Sequence, residues 1–193
     1  LKNLPYLKAN GERMHILNKF QRNPYKGREI DTTSNSGLFR WLSPFLLPAP
    51  PAKNLENLWQ FSKVYPCHIN SSGTVNMAWE GWREGGWRDI RAHRYPMGKG
   101  AIPLFSYRQG EHLDYIQARK KIYAPEYAKN VIKTTSFKWL RDLHSQGIEL
   151  LLRDYDGYDY ETLGMTLKDV INEPKRKMGH AFVLAMILEN VLA

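Results

Sequence analysis

The chain has 193 residues, of which 42% are hydrophobic and 24% are charged, a balance typical of a folded globular protein rather than a disordered one. No apolar run approaches the about 20 residues that cross a bilayer, so the sequence predicts no membrane association. A single cysteine, Cys67, excludes an internal disulfide and an all-cysteine metal site, and we expect a reducing, cytoplasmic setting.

The net charge of +9 is distributed unevenly. Residues 1–30 hold seven Lys or Arg against two acids, residues 83–108 hold six against two, and residues 119–141 hold seven against one. Residues 149–169, in contrast, hold six acids and two basic residues. Basic surfaces attract polyanions and phosphorylated ligands, although the same charge can serve solubility alone.

The amino-terminal part, residues 1–30, is interpreted as a basic arm with a short helix around residues 11–20. Residues 31–193 are predicted to form a single globular domain. Within it, the segment LFRWLSPFLL (38–47) predicts one or two short buried strands that end at prolines.

The stretch NLENLWQFSK (54–63) predicts a helix that begins at an N-cap, Asn54, and ends near Pro66. One face has the spacing of a buried stripe, and a neighbouring face is polar. The buried face comprises Leu55, Leu58, Trp59 and Ser62, and the polar face comprises Glu56, Gln60 and Lys63. A carboxylate, an amide and an ammonium beside an indole form either a solvated face or the wall of a pocket.

The rest of the chain predicts an irregular insertion followed by helices and one strand. Residues 67–110 are rich in Gly and Trp and are predicted to be a long loop. Helical segments follow, broken at Pro125 and closed by Gly147. IELLL (148–152) predicts a buried strand, and GHAFVLAMILENVL (179–192) a buried helix. The fold class expected is therefore α+β, a predominantly helical single domain with a few short strands and a long Gly/Trp-rich insertion.

An acidic turn follows the predicted strand directly. Asp154, Asp156 and Asp159 alternate there with tyrosines, of which Tyr155 is the first. Catalytic groups often stand at the end of a strand, where a loop aims them at a cleft. A calcium loop and a solvated turn with stacked tyrosines are the alternatives, and the spacing lacks the EF-hand pattern.

Two further segments carry cations that can meet a phosphate. In NEPKRKMGH (172–180), Lys177 and its two basic neighbours precede the terminal helix, where backbone N–H groups and His180 can bind an anion; a flexible surface turn is the alternative. RYPMGKGAIP (94–103) presents Lys99 on a glycine loop but lacks the spacing of a phosphate loop. The motifs of serine hydrolases, zinc proteases and dinucleotide-binding proteins are absent from the sequence.

Four segments, in this order, resemble the NADAR family of small N-glycosidases. The basis for the resemblance is WLSPFLL (41–47), NLENLWQFSK (54–63), IQARKKIYAPEYAKNVIKTT (116–135), and IELLLRDYDGYD (148–159) followed by MGHAFVLAMILE (178–189). The resemblance implies a single domain that cleaves an N-glycosidic bond to a ribose. Family substrates include phosphorylated pyrimidine intermediates and ADP-ribose attached to nucleobases.

The resemblance and the residues together yield a set of candidate site residues. Carboxylates assist glycosidic cleavage through an oxocarbenium-like state, and the expected catalytic residues are Glu56, Asp154 and Asp156. The expected substrate-binding residues are Trp41, Ser43, Trp59, Gln60, Lys63, Lys99, Arg119, Lys120, Tyr155, Lys177 and His180. No residue pattern demands a metal or a cofactor.

Three hypotheses of function remain open at this point. The first is an N-glycosidase that acts on a nucleotide, an ADP-ribosylated base or a modified base in nucleic acid, with the basic segments favouring DNA. The second is a non-catalytic, basic nucleic-acid-binding protein. The third is an interaction protein that blocks another enzyme, in which Glu56 pairs with a buried cation.

Overall fold

The computed structural model describes residues 14–192, and residues 1–13 of the predicted arm lie outside the described residues. Helices and strands both build the chain, which confirms a mixed fold, whereas a predominantly helical character is not confirmed. The residues group into two compact units. The first unit contains the described residues up to Ser43 and those from Ala128 onward, and the second unit contains Pro44–Tyr127.

The strands and helices follow one another in this order along the described chain. The strands are β1 (Met14–Asn18), β2 (Arg28–Asp31), β3 (Lys63–Val64), β4 (Phe105–Arg108), β5 (Glu111–Leu113) and β6 (Leu150–Asp154). The α-helices are α1 (Leu55–Gln60), α2 (Met77–Arg88), α3 (Tyr115–Ala118), α4 (Ala124–Val131), α5 (Thr135–Ser145), α6 (Leu167–Asn172) and α7 (His180–Leu188). Two 3-10 helices span Gly37–Leu42 and Pro66–His68, and a π-helical segment, Arg119–Tyr123, joins α3 to α4.

The first unit is built on a parallel sheet of three strands in the order β1-β6-β2. The central strand, β6, confirms the buried strand predicted at residues 148–152, and Leu150, Leu151 and Leu152 are fully buried. The helix predicted around residues 11–20 is wrong over the described part, because residues 14–18 form β1. Its apolar residues are buried beside β6, and tertiary packing of this kind overrides local helix propensity.

The terminal helix, α7, packs against β6 and supplies much of the first unit's core. Ala181, Phe182, Val183, Leu184 and Ala185 are fully buried, which confirms the prediction of a helix that is apolar nearly all round. A helix of this composition is stable only when neighbours cover every side of it.

The second unit contains an antiparallel sheet in the order β3-β4-β5. β4 and β5 are joined by Gln109 and Gly110, which both have positive φ values, as a two-residue hairpin turn requires. The predicted helix at residues 54–63 is confirmed as α1, with Asn54 as its cap, but it ends at Gln60 rather than near Pro66. The chain turns out of the helix there, because Lys63–Val64 pairs with β4 as a strand.

The predicted irregular insertion at residues 67–110 is not confirmed, since α2 occupies Met77–Arg88 and β4 occupies Phe105–Arg108. The side chain of Asn76 caps α2, and the guanidinium of Arg83 lies 4.6 Å and 4.8 Å from the ring centres of Trp79 and Trp87. Gly86 lies against the ring of Phe61 so closely that a Cβ at this position would clash with it. The glycine that weakens the helix locally therefore permits its packing.

Two other predictions of local structure are wrong. The segment 38–47 forms a 3-10 helix and turns instead of strands. Pro125 does not break the helix, because it lies in the first turn of α4, directly after the π-helical segment. Pro125 has no N–H to donate to the Lys121 carbonyl four residues earlier. That carbonyl accepts a hydrogen bond from Arg108 Nη1 at 3.1 Å instead.

Across residues 14–192, no helix combines the length and apolar character that crossing a bilayer requires. The longest of the α-helices, α2, has 12 residues. This is shorter than the about 20 residues of a membrane-spanning helix.

Candidate active site

The polar face of α1 is a buried row of hydrogen-bonded side chains. Asn54 accepts the Asn57 N–H at 2.8 Å and fixes the first turn, which carries Glu56. Glu56 and Gln60 are only 7% and 8% exposed, so this face is not the solvated surface that its composition permits. Burial of a carboxylate is costly unless polar groups pair with it, and residues of this helix provide part of that pairing.

The row runs from the carboxylate through an amide to an ammonium. Gln60 Nε2 donates to Glu56 Oε1 at 2.9 Å, and Lys63 Nζ donates to Gln60 Oε1 at 2.8 Å. Each bond fixes the next group, so the amide of Gln60 holds the carboxylate in one orientation. We call Glu56, Gln60 and Lys63 the polar row.

An aromatic wall lies beside the polar row. Lys63 Nζ lies 5.1 Å from the ring centre of Trp59. The rings of Tyr115 and Tyr123 are 6.4 Å and 5.2 Å from Trp59, and Tyr115 is 42% exposed. A cation over an indole and an accessible tyrosine beside it provide surfaces on which a planar ligand can stack. We call Trp59, Tyr115 and Tyr123 the aromatic wall.

Arg119 supports the exposed edge of that wall. Its side chain is 1% exposed, its Nη2 donates to the Tyr115 hydroxyl at 3.0 Å, and its guanidinium lies 4.2 Å from the Tyr115 ring centre. Arg119 also begins the π-helical segment. Such segments are rare in proteins as a whole, and those that occur are often at functional sites. The contacts of Arg119 are those of a residue that positions Tyr115.

A second asparagine of α1 holds the segment that follows α2. Asn57 is fully buried, its Nδ2 donates to the carbonyls of Asp89 and Arg91 at 3.0 Å and 2.8 Å, and its Oδ1 accepts the His93 N–H at 2.8 Å. A hydrogen bond from His93 lowers the pKa of Asp89 below its ordinary value. The cationic loop that carries Lys99 therefore leaves α2 along a fixed path.

Sequence reasoning missed three residues of this arrangement: Asn57, Tyr115 and Tyr123. The signal for Asn57 was a poor helix former inside a short helix, where a polar side chain often bonds to backbone. The signal for Tyr115 was its spacing of four from Arg119, which places both side chains on one face of a helix.

The acidic turn of the first unit forms a different arrangement. Asp154 is 3% exposed, and its two carboxylate oxygens accept the N–H groups of Ala181 at 3.0 Å and of Asp156 at 3.2 Å. The Nδ1 of His180 lies 3.2 Å from Asp154 Oδ2. Gly179 passes so close to this carboxylate that a Cβ would collide with it. Asp154 thus ties the turn after β6 to the start of α7.

His180 extends this network to β2. Its Nε2 lies 2.8 Å from Thr32 Oγ1 and 2.9 Å from the Thr32 carbonyl, and Thr32 Oγ1 donates to the Arg153 carbonyl at 2.7 Å. Thr32 is fully buried. The sequence predicted that an anion binds at the amino end of α7. In the structure the carboxylate of Asp154 lies there, where its negative charge suits the positive end of the helix dipole.

The other candidate residues lie at different depths in the two units. Trp41 and Ser43 belong to the first unit, where Trp41 is 43% exposed and Ser43 is buried. Tyr155 and Lys177 are exposed in the first unit, and Asp156 is half-buried there. Lys99 and Lys120 are exposed in the second unit. The structure brings together Glu56, Trp59, Gln60 and Lys63, joins Arg119 to them through Tyr115, and separately brings together Asp154, Asp156 and His180.

Another buried histidine, His68, is held neutral near β3. Burial lowers the pKa of His68 below 6.5, and its Nδ1 accepts the Tyr65 N–H at 3.2 Å, which needs that nitrogen without a proton. Burial also raises the pKa of the Tyr65 hydroxyl. The uncharged forms of both side chains are therefore favoured in this part of the second unit.

Within residues 14–192, no group of three or more His, Cys, Asp or Glu side chains is arranged to hold a metal ion. Comparison with known proteins leaves the chain without a match: no family model, no curated protein and no solved structure is similar to it.

Proposed function

We propose that the protein is an N-glycosidase that binds a nucleotide-type substrate in the second unit and cleaves the bond between its base and its ribose. The observation that carries the proposal is the polar row beside the aromatic wall. A buried carboxylate with a fixed orientation, aromatic rings and an ammonium group match the sugar, the base and the phosphate of a phosphorylated nucleoside.

Glu56 is the residue that acts on the sugar. Cleavage develops positive charge on the ribose, and a buried carboxylate stabilises that charge strongly because little water screens it. Gln60 prevents the carboxylate from rotating, since its Nε2 donates to Glu56 Oε1 at 2.9 Å while Lys63 holds its other end. The carboxylate is therefore oriented before the substrate arrives.

The base and the phosphate bind to neighbouring groups. The base stacks on the exposed ring of Tyr115, which Trp59 and Arg119 hold in place. The phosphate meets Lys63 and the exposed Lys120 and Lys99, while Arg119 acts through Tyr115 because it is only 1% exposed. This assignment changes the role of Arg119 from phosphate binding to positioning.

Asp156 lies half-buried in the first unit, and its assistance to the attacking water stays a prediction from the sequence rather than a part of the site proposed in the second unit. Asp154 is a poorer candidate for that role, because the N–H groups of Ala181 and Asp156 and the ring of His180 already engage its oxygens. A carboxylate that is held by backbone has little freedom to change its proton or its position during a reaction.

The substrate classes are an ADP-ribosylated base, a modified base in DNA, and a free nucleotide. The net charge of +9 favours a polyanion, and the single cysteine favours a reducing, cytoplasmic setting for the reaction. A base within a duplex must be flipped out before it reaches the aromatic wall.

The test incubates the protein with ADP-ribosylated oligonucleotide, base-modified DNA and free nucleotides, and follows released base and sugar by mass spectrometry. We expect release by the wild type and a loss of about a hundredfold or more for Glu56→Gln, the size of effect seen when one stabilising group is removed. Glu84→Gln is the matched control, because Glu84 is exposed on α2 in the same unit. Equal rates for the two variants would remove Glu56 from the mechanism.

The basic composition favours a second candidate, a non-catalytic nucleic-acid-binding protein. Lys120 and Lys121 lie exposed in the π-helical segment, which also carries Tyr123 of the aromatic wall. Retention of DNA that weakens steeply with salt, with no product from any substrate class, would select this function over cleavage.

A further inference from the structure

A pair of exposed aromatic rings lies at the carboxyl edge of the parallel sheet in the first unit. Phe20 is 79% exposed and Tyr155 is 41% exposed. Their ring centres are 5.9 Å apart, and their planes meet at 63°. This edge is where the strands of a parallel sheet present ligand-binding groups. Two large aromatic rings that pack against each other and remain exposed to solvent form an apolar surface of the kind that binds a partner.

The backbone beneath both rings is fixed by one side chain, Asn18, the last residue of β1. Its Oδ1 accepts the Phe20 N–H at 3.1 Å, and its Nδ2 donates to the Tyr155 carbonyl at 2.6 Å. The Lys19 N–H also donates to the Asp154 carbonyl, at 2.9 Å. Asn18 lies directly opposite Asp154 in the strand register. The rings are therefore presented by two strand ends that are bound together.

A lysine, Lys19, joins the rings to the end of β2, the remaining strand of this sheet. Lys19 Nζ lies 5.1 Å from the ring centre of Tyr155 and donates to Thr33 Oγ1 at 2.8 Å and to Asp31 Oδ2 at 3.3 Å. Burial raises the pKa of Asp31, but hydrogen bonds from Thr33 and Lys19 outweigh it and leave that pKa below its ordinary value. We call Lys19, Phe20 and Tyr155 the aromatic platform.

We infer that the aromatic platform binds single-stranded nucleic acid, with one base stacked on Phe20 and the next base stacked on Tyr155. Because the two rings are inclined at 63°, a single base cannot lie flat on both, whereas two successive bases of one strand can turn relative to each other. Stacking on aromatic rings is tolerant of sequence, since every base has a π face.

Cations on the side of Phe20 can meet a phosphate backbone, while the acidic turn lies on the side of Tyr155. Arg22, two residues beyond Phe20, is exposed, and Lys19 precedes Phe20 directly. A duplex hides the faces of its bases, and a free mononucleotide has only one base to stack, so a single strand uses this surface most fully. Binding here does not require glycosidic cleavage, and the two proposals are tested separately.

The experiment measures the affinity of fluorescently labelled oligothymidylate by anisotropy, beside an abasic oligonucleotide with the same number of phosphates. We expect wild type to bind the strand with bases at least about tenfold more tightly than the abasic strand, because each stacked base contributes about 1–3 kcal/mol. Phe20→Ala and Tyr155→Ala should each remove most of this difference. Trp139→Ala is the matched control, since Trp139 is an aromatic residue of the same unit with 37% exposure, and it should leave the difference unchanged.

A third variant, Asn18→Ala, keeps both rings and loosens the backbone beneath them, and we expect a smaller loss than for either ring. Equal binding of the two oligonucleotides by wild type, or wild-type preference in both ring variants, would overturn the inference. All measurements are repeated in Glu56→Gln. If the wild type releases no base or sugar but still prefers the strand with bases, the aromatic platform stands without the proposed enzyme; release by the wild type without that preference leaves the enzyme without the platform.

Discussion

The buried carboxylates of Asp154, in the first unit, and Glu56, in the second, are held by different kinds of partner. Asp154 in the first unit is held by the N–H groups of Ala181 and Asp156 and by the ring of His180. Glu56 in the second unit is held by the side-chain amide of Gln60, which Lys63 holds in turn. Backbone partners fix a carboxylate as part of the fold, whereas a side-chain partner near an exposed ring, that of Tyr115, leaves a carboxylate suited to a ligand. Burial alone therefore does not distinguish a catalytic carboxylate from a structural one.

The largest expected effect on stability comes from removing the carboxylate of the first unit. Asp154→Ala leaves two backbone N–H groups and the ring of His180 without their acceptor, and we expect the free energy of unfolding to fall by about 3–5 kcal/mol. Urea denaturation measures this loss. Asp142→Ala, at an exposed position of α5, should change the free energy by less than about 0.5 kcal/mol. A loss for Asp154→Ala as small as the control's would refute the structural role.

The next effect concerns the close approach of Gly179 to the same carboxylate. Gly179→Ala places a methyl group against Asp154 Oδ2, and we expect a loss of about 1–3 kcal/mol from the displacement this forces. The double variant with Asp154→Ala offers the methyl group the vacated space. Its loss should therefore be smaller than the sum of the two single losses, and strict additivity would contradict a direct contact.

Replacing each carboxylate by the amide of the same shape, in Glu56→Gln and Asp154→Asn, compares how much each contributes to the free energy of unfolding. Glu56→Gln should lower the free energy of unfolding by about 1 kcal/mol or less, because the amide oxygen still accepts the Gln60 bond. Asp154→Asn should cost more, since one amide oxygen replaces two acceptors that both serve backbone. Parallel urea titrations give both values. A loss for Glu56→Gln that exceeds the loss for Asp154→Asn would indicate that Glu56 pairs with a buried cation for stability, as an interaction protein requires.

The smallest effect concerns pH and His68 in the second unit. Burial lowers the pKa of His68 below 6.5, so the unfolded chain takes up this proton first and stability declines as the pH falls below about 6.5. His68→Asn keeps an oxygen that accepts the Tyr65 N–H and cannot titrate in this range. We expect the difference between the melting temperatures at about pH 7.5 and about pH 5.5, which lie on either side of the ordinary histidine pKa of about 6.5, to shrink in the variant. An unchanged difference would assign the acid sensitivity to other groups.

Local sequence patterns predicted those helices and strands that depend mainly on their own residues and not on distant partners. The strand at residues 148–152, the cap at Asn54 and the buried helix α7 all follow from short apolar runs or from one capping side chain. The strand β1 could not be predicted this way, because it exists only through pairing with β6, more than a hundred residues away. The helix α2 was hidden by its glycines, one of which serves packing against Phe61.

The candidate site was predictable only in part for the same reason. The polar row comes from one short stretch of chain, α1 and the start of β3, so the spacing of Glu56, Gln60 and Lys63 was sufficient to propose it. The rings of Tyr115 and Tyr123 come from a segment about sixty residues further along the chain, and no local pattern links them to Trp59. The partners of Asp154 likewise follow from tertiary structure alone.

The π-helical segment, Arg119–Tyr123, makes the aromatic wall sensitive to insertion and deletion. The Ala124 N–H donates to the Arg119 carbonyl five residues earlier, so this turn holds one residue more than an α-helical turn. Deleting one residue would restore the α-helical spacing and rotate Tyr115 by about 100° relative to α4. The length of this turn, as much as the identity of its residues, is therefore part of the information that specifies the site.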